Sequence, residues 1–72
     1  MRISELAARS GIPATTLRYY DSAGLLPARR SAAGYRLYAE DAMGRLAFIR
    51  AAKEVGLSLA DIGSVLRIRA AG

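Results

Sequence analysis

With 72 residues, no cysteine and no histidine, the chain is expected to form one small domain over residues 1–72, without disulfides, thiolate metal sites or a histidine general base. Eleven basic residues against six acidic ones give a net charge of +5, a surplus that favours a polyanionic partner, nucleic acid before an anionic membrane surface. No apolar run is long enough to span a bilayer and no signal-peptide segment opens the chain, so a cytoplasmic location is expected.

In chain order, Ser4 is expected to cap a first helix through ELAARS, which Gly11 ends at a position where positive φ is cheap. Pro13 suits the first turn of a second helix running to about Ser22 and closed by Gly24. Two short helices joined by a glycine-containing turn read as a helix-turn-helix. On a helical wheel with Leu17 facing inward, Tyr20 lies about 60° and Pro13 about 40° from it, on the inner side. Thr15, Arg18, Tyr19 and Ser22 fall between about 100° and 200°, on the opposite face. Of the two adjacent tyrosines, Tyr20 is therefore predicted to pack and Tyr19 to face out. Guanidinium and hydroxyl groups on one face suit phosphates and base edges, with Ala14 close enough for an apolar contact. The plainer alternative is an ordinary solvated face carrying one aromatic.

From Leu25 the texture changes. LLPARRSAAGYRLY reads as a β-hairpin with Gly34 at or near its tip, rather than a disordered connector. Arg29 and Arg30 enter it, while Tyr35 and Arg36 leave it. Residues 40–55 form the longest helical pattern, with Leu46, Ile49, Ala52 and Val55 as an apolar stripe and acidic residues at its start. Gly56 is a stop. Ser58 with Asp61 reads as a capping box for a last helix to about Arg69, bearing Leu59, Ile62, Val65 and Leu66 on one side. The predicted fold is mainly α, four helices with a small β-hairpin.

No enzyme is expected, and no cofactor or metal. The available nucleophiles are Ser, Thr and Tyr without a histidine to activate them, and no glycine spacing matches a phosphate-binding loop. A small winged-helix architectural or excisionase-like protein, bending DNA while docking a protein partner, is the alternative; steep salt dependence of binding separates DNA contact from protein docking.

The ordered set TLRYYDSAGLL, GYRLY and VGLSLADI resembles the N-terminal DNA-binding domain of the MerR family of bacterial transcription regulators, over Arg2 to Leu66. The resemblance implies a winged helix-turn-helix whose second helix enters the major groove of double-stranded DNA with Ala14, Thr15, Arg18 and Tyr19. It implies a hairpin wing whose Arg30, Tyr35 and Arg36 meet phosphates, and a second wing with contacts at Arg50 and at the helix start at Ser58. Family members bind inverted-repeat promoter operators as homodimers and distort that DNA for RNA polymerase. The family's dimerisation helix and effector domain have no counterpart in these residues. The expectation is either the DNA-binding fragment of a longer regulator or a naturally short relative.

Overall fold

The computed structural model describes residues 1–71. Helix α1 (Ile3–Ser10) begins one residue before the expected Ser4 cap: Arg2 occupies the cap position with extended backbone and no side-chain hydrogen bond. The Leu6 N–H reaches the Arg2 carbonyl at 3.0 Å. Ile3, packed against the core, is thereby drawn into the helix, and Ser4 is left exposed. Gly11 ends α1 at φ 74°.

Helix α2 (Ala14–Ser22) follows, with Pro13 at the cap rather than inside the first turn; its carbonyl accepts from Thr16 and Leu17. Beyond α2, Gly24 adopts φ 78°, its N–H meets the Asp21 carbonyl, and the Leu25 N–H meets that of Tyr20. This paired closure is the Schellman motif, which needs a left-handed residue where Gly24 stands. It turns the chain sharply, so that Leu25 and Leu26 both enter the core.

Strands β1 (Arg29–Arg30) and β2 (Arg36–Leu37) form the antiparallel hairpin, with Arg29 opposite Leu37 and Arg30 opposite Arg36. Its turn is closed by the Ser31 N–H to the Tyr35 carbonyl and the Gly34 N–H to the Ser31 carbonyl, with Gly34 at φ 88°. The Ser31 hydroxyl accepts a further bond from the Tyr35 N–H. Just past β2, Tyr38 and Met1 exchange both backbone hydrogen bonds, pinning the wing to the chain entering α1.

Helix α3 (Ala42–Glu54) is shorter than its sequence pattern. Glu40 and Asp41 lie in the preceding turn rather than in the first turn of the helix, and Glu40 is drawn sideways onto Arg9 of α1 in a two-pronged ion pair at 3.1 and 3.2 Å. At the other end Val55, expected in the apolar stripe, is 78% exposed, because the helix closes there in a second Schellman motif at Gly56. Helix α4 (Leu59–Ala71) carries the expected capping box, with the Asp61 N–H on the Ser58 hydroxyl and the Ser58 N–H on the Asp61 carboxylate.

Helix α1 packs on α2 and α3, and α3 on α4. Leu6, Leu17 and Tyr20 of the first two helices meet Leu46 and Ile49 of α3, Ile62 and Leu66 of α4, and Tyr38 from beyond the hairpin in one buried cluster. Each fully buried Leu or Ile contributes about 1.5–3 kcal/mol of transfer energy, so this cluster is the main source of stability in a domain without covalent staples. It holds α2 and the hairpin in fixed relation.

Candidate nucleic-acid interface

On α2 the two tyrosines divide as the helical wheel predicts: Tyr20 is 6% exposed and Tyr19 is 57% exposed. Thr15, Arg18 and Ser22 are exposed beside Tyr19, while Leu17 is fully buried and Ala14 half-buried. The Ser22 hydroxyl turns back onto the Arg18 carbonyl at 3.0 Å. At the start of α2 no side chain caps the helix and no acidic residue stands in the first turn. Its first amides, and the positive end of its dipole, therefore remain open to an anion.

Between the start of α1, the end of α2 and the wing lies an open concavity of about 700 Å³, lined by Arg2, Ile3, Ser4, Arg18, Asp21, Ser22, Tyr35, Arg36 and Tyr38. Three expected site residues, Arg18, Tyr35 and Arg36, are brought together there. Arg2, which the sequence reading passed over, joins them: its guanidinium lies 3.6 Å from the centre of the exposed Tyr35 ring, a cation–π stack. Arg36 is not a free cation. Its Nε and Nη2 hold the Asp21 carboxylate at 2.5 and 2.6 Å, and the Tyr38 hydroxyl donates to the same carboxylate at 2.8 Å.

Burial by itself raises the Asp21 pKa, but the hydrogen bonds from Arg36 and Tyr38, with the charges of Arg36 and Arg30, outweigh it and hold the carboxyl below its ordinary value. Burial and the Asp21 hydrogen bond push the Tyr38 phenol up. Asp21 and Tyr38 were both absent from the expected site. Strand alternation sets Arg36 and Tyr38 two residues apart on one face, but nothing local to that segment names Asp21, 15 residues before Arg36 in the chain, as their shared partner.

The remaining candidates stand elsewhere. Arg30 reaches across the turn to the Gly34 carbonyl at 3.0 Å and stays exposed. Exposed Arg50 of α3 lines a second groove of about 340 Å³ with Ile12, Tyr20, Leu46, Lys53 and Glu54. There Lys53 Nζ donates to the Tyr20 hydroxyl at 3.4 Å, a long and weak bond. Ser58 lines neither hollow, and its own N–H is committed to Asp61. Among the described residues no group of three or more Asp or Glu side chains is placed to hold a metal, and no helix is long and apolar enough to cross a membrane.

A helix-turn-helix whose second helix presents Arg, Thr and Tyr outward, beside a basic hairpin wing and a second helical wing, defines a winged-helix domain of the regulatory class. The comparisons narrow that class. The sequence profile of the MerR HTH family regulatory proteins matches residues 1–67, and the chain belongs to that family, which is one of regulators rather than enzymes. It is 46% identical over 69 residues to an uncharacterized HTH-type transcriptional regulator of Pseudomonas aeruginosa, covering 94% of this chain and 52% of that protein. It is 49% identical over 61 residues to the HTH-type transcriptional regulator CueR of Bacillus subtilis, covering 85% of this chain and 43% of that protein. The chain thus spans about half the length of the curated relatives it matches. Among solved structures, HiNmlR, a MerR family regulator lacking the sensor domain and bound to promoter DNA, superposes with a TM-score of 0.88 at 33% identity, over 99% of this chain and 57% of that one.

Proposed function

We propose that this domain binds double-stranded DNA at promoter operators as the reading head of a MerR-type transcription regulator. The observation that carries the reading is the outward face of α2, with open N-terminal amides, Thr15, Arg18 and Tyr19, set beside a concavity lined by three guanidinium groups. Helix α2 enters the major groove. There Thr15 and Ala14 meet base edges, while Arg18 and the Tyr19 hydroxyl meet a base or phosphate. Arg2, Tyr35 and Arg36 receive one backbone strand in the concavity, with Arg30 on the hairpin beside them. Arg50, joined by Lys53, receives the other strand from α3. At α4 the anion would meet the amides after Ser58, since the Ser58 N–H is already spent on Asp61.

The likeness to a family regulator solved on promoter DNA supports this assignment at 33% identity. Two copies would read an inverted repeat as a homodimer in the full-length setting and present distorted promoter DNA to RNA polymerase in the cytoplasm. The excisionase-like alternative is not favoured, since the relatives named above are transcription regulators.

Selection from a random double-stranded DNA pool, sequenced at two salt concentrations, tests the proposal. Enrichment of an inverted repeat supports sequence-specific binding by paired copies. A chain making four to six phosphate contacts loses affinity with a log–log salt slope of about −0.9 per contact. No retention at low salt refutes the proposal.

A further inference from the structure

We infer that Asp21 is a positioning residue for DNA binding: it latches the hairpin wing to the end of α2 and presents the Arg36 guanidinium to the backbone. The inference rests on the DNA reading above and adds to it a residue of the wrong sign for a phosphate-binding surface. An acidic side chain in the last turn of a helix opposes the dipole, and in a concavity built for phosphates it repels the ligand. A compensating role is therefore expected, and the geometry supplies one.

The Asp21 carboxylate takes three donors, Arg36 Nε, Arg36 Nη2 and the Tyr38 hydroxyl, all at 2.8 Å or less. Arg36 and Tyr38 are alternate residues on one face of the chain leaving the hairpin, so a single carboxylate fixes two wing side chains at once. The Arg36 side chain is 42% exposed and that of Asp21 13% exposed, which puts the carboxylate behind the guanidinium rather than in front of it. A guanidinium has five N–H donors. Asp21 uses two, and three remain for a phosphate. The carboxyl stays ionised through the neutral range, as its lowered pKa requires.

Simple electrostatics and the latch make opposite predictions for one substitution. Asp21→Asn removes a negative charge from the surface that meets the phosphates, so charge alone would tighten binding. The latch predicts weaker binding, by roughly tenfold, the scale of lost hydrogen bonds to a charged group. Binding is read by fluorescence anisotropy on a mixed-sequence duplex two helical turns long, about 21 base pairs. The cycle is completed with Arg36→Ala and the double variant.

If Asp21 acts through Arg36, Asp21→Asn weakens binding in the wild-type background and has no further effect once Arg36 is removed. Thermal unfolding is followed alongside. Should Asp21→Asn be unfolded at the assay temperature, Tyr38→Phe takes its place, removing one of the three bonds, with a smaller loss that again disappears without Arg36. Equal or tighter binding by the substituted chain overturns the latch. So does an equal loss with and without Arg36, which would mark a general loss of fold. If the wild-type chain fails to bind the duplex, the DNA reading itself falls, and the latch with it.

Discussion

Replacing Tyr20 by Ala is predicted to destabilise the domain strongly, whereas the same change at Tyr19 leaves its stability nearly intact. Tyr20 is 6% exposed and belongs to the same buried cluster as Leu6, Leu17 and Ile49, so its removal empties an aromatic site at the junction of α1, α2 and α3. Large-to-small aromatic changes of this kind cost about 3–5 kcal/mol. A chain of 72 residues has a total stability of roughly 4–11 kcal/mol at about 0.05–0.15 kcal/mol per residue. The change thus removes about a quarter or more of the total. At about 4 °C or more per kcal/mol, the midpoint should fall by at least about 12 °C. Tyr20→Phe is the control: the hydroxyl accepts only the 3.4 Å contact from Lys53, so its loss costs less than about 1 kcal/mol. Tyr19, 57% exposed, should tolerate Ala within about 0.5 kcal/mol. Far-ultraviolet circular dichroism against temperature reads all three. Equal shifts for the two alanine variants, or a larger one for Tyr19→Ala, would refute the packing assigned to α2.

Other expectations follow from the same geometry. Ser58→Ala removes the hydroxyl that holds the Asp61 N–H and should lower stability by about 1 kcal/mol, read from the urea midpoint. Gly34→Ala meets no atom within 4 Å, so its cost is that of a left-handed backbone at φ 88°, about 1–2 kcal/mol, with weakened DNA binding through a disordered wing. Asp21, Glu40 and Asp61 all have lowered pKa values; burial of Asp21 is overcome by Arg36 and Tyr38, Glu40 is held by its hydrogen bonds from Arg9, and Asp61 by the Ser58 hydroxyl and N–H. The folded state therefore binds fewer protons than the unfolded one just below pH 4. The stability these groups provide is complete above about pH 4–4.5 and is lost as pH falls through their folded values, which urea titrations at pH 7 and pH 3 would show. Arg18→Ala should weaken binding to every duplex and flatten the salt slope by about one unit, while changes at Thr15 should shift base preference by roughly 1–3 kcal/mol per affected pair.

Local chemistry was the legible part of the sequence. Glycines in positive φ, the Ser58–Asp61 box and the 3.6-residue period of α2 are set by neighbours a few residues away, so the turns, the last helix and the division between Tyr19 and Tyr20 could be read directly. Boundaries shifted where a distant group intervened. Ser4 lost its capping role because Ile3 packs into the core and Met1 pairs with Tyr38. Glu40 left the helix dipole of α3 for Arg9, 31 residues away in the chain. Val55 follows the apolar period of α3, yet stands where the helix has already closed.

The same reasoning explains the site. Arg18 and Arg36 carry the guanidinium that phosphate binding needs and could each be marked from their own segment, whereas Tyr35 is marked by the family resemblance. The stacking of Arg2 on Tyr35 and the clamp of Asp21 on Arg36 and Tyr38 join residues 15 to 33 positions apart. No periodicity within one helix or strand encodes such pairs.

Mapping the DNA contact directly, by following backbone amide resonances as a mixed-sequence duplex is added, tests the central claim most closely. The account predicts shifts concentrated at Arg2 to Ser4, Thr15 to Ser22 and Tyr35 to Arg36, with a weaker set around Arg50, all reversed by added salt. Shifts confined to the outer faces of α3 and α4, around Phe48 and Ile68, with Thr15, Arg18 and Tyr35 unmoved, would contradict it and place the binding surface on the opposite wing.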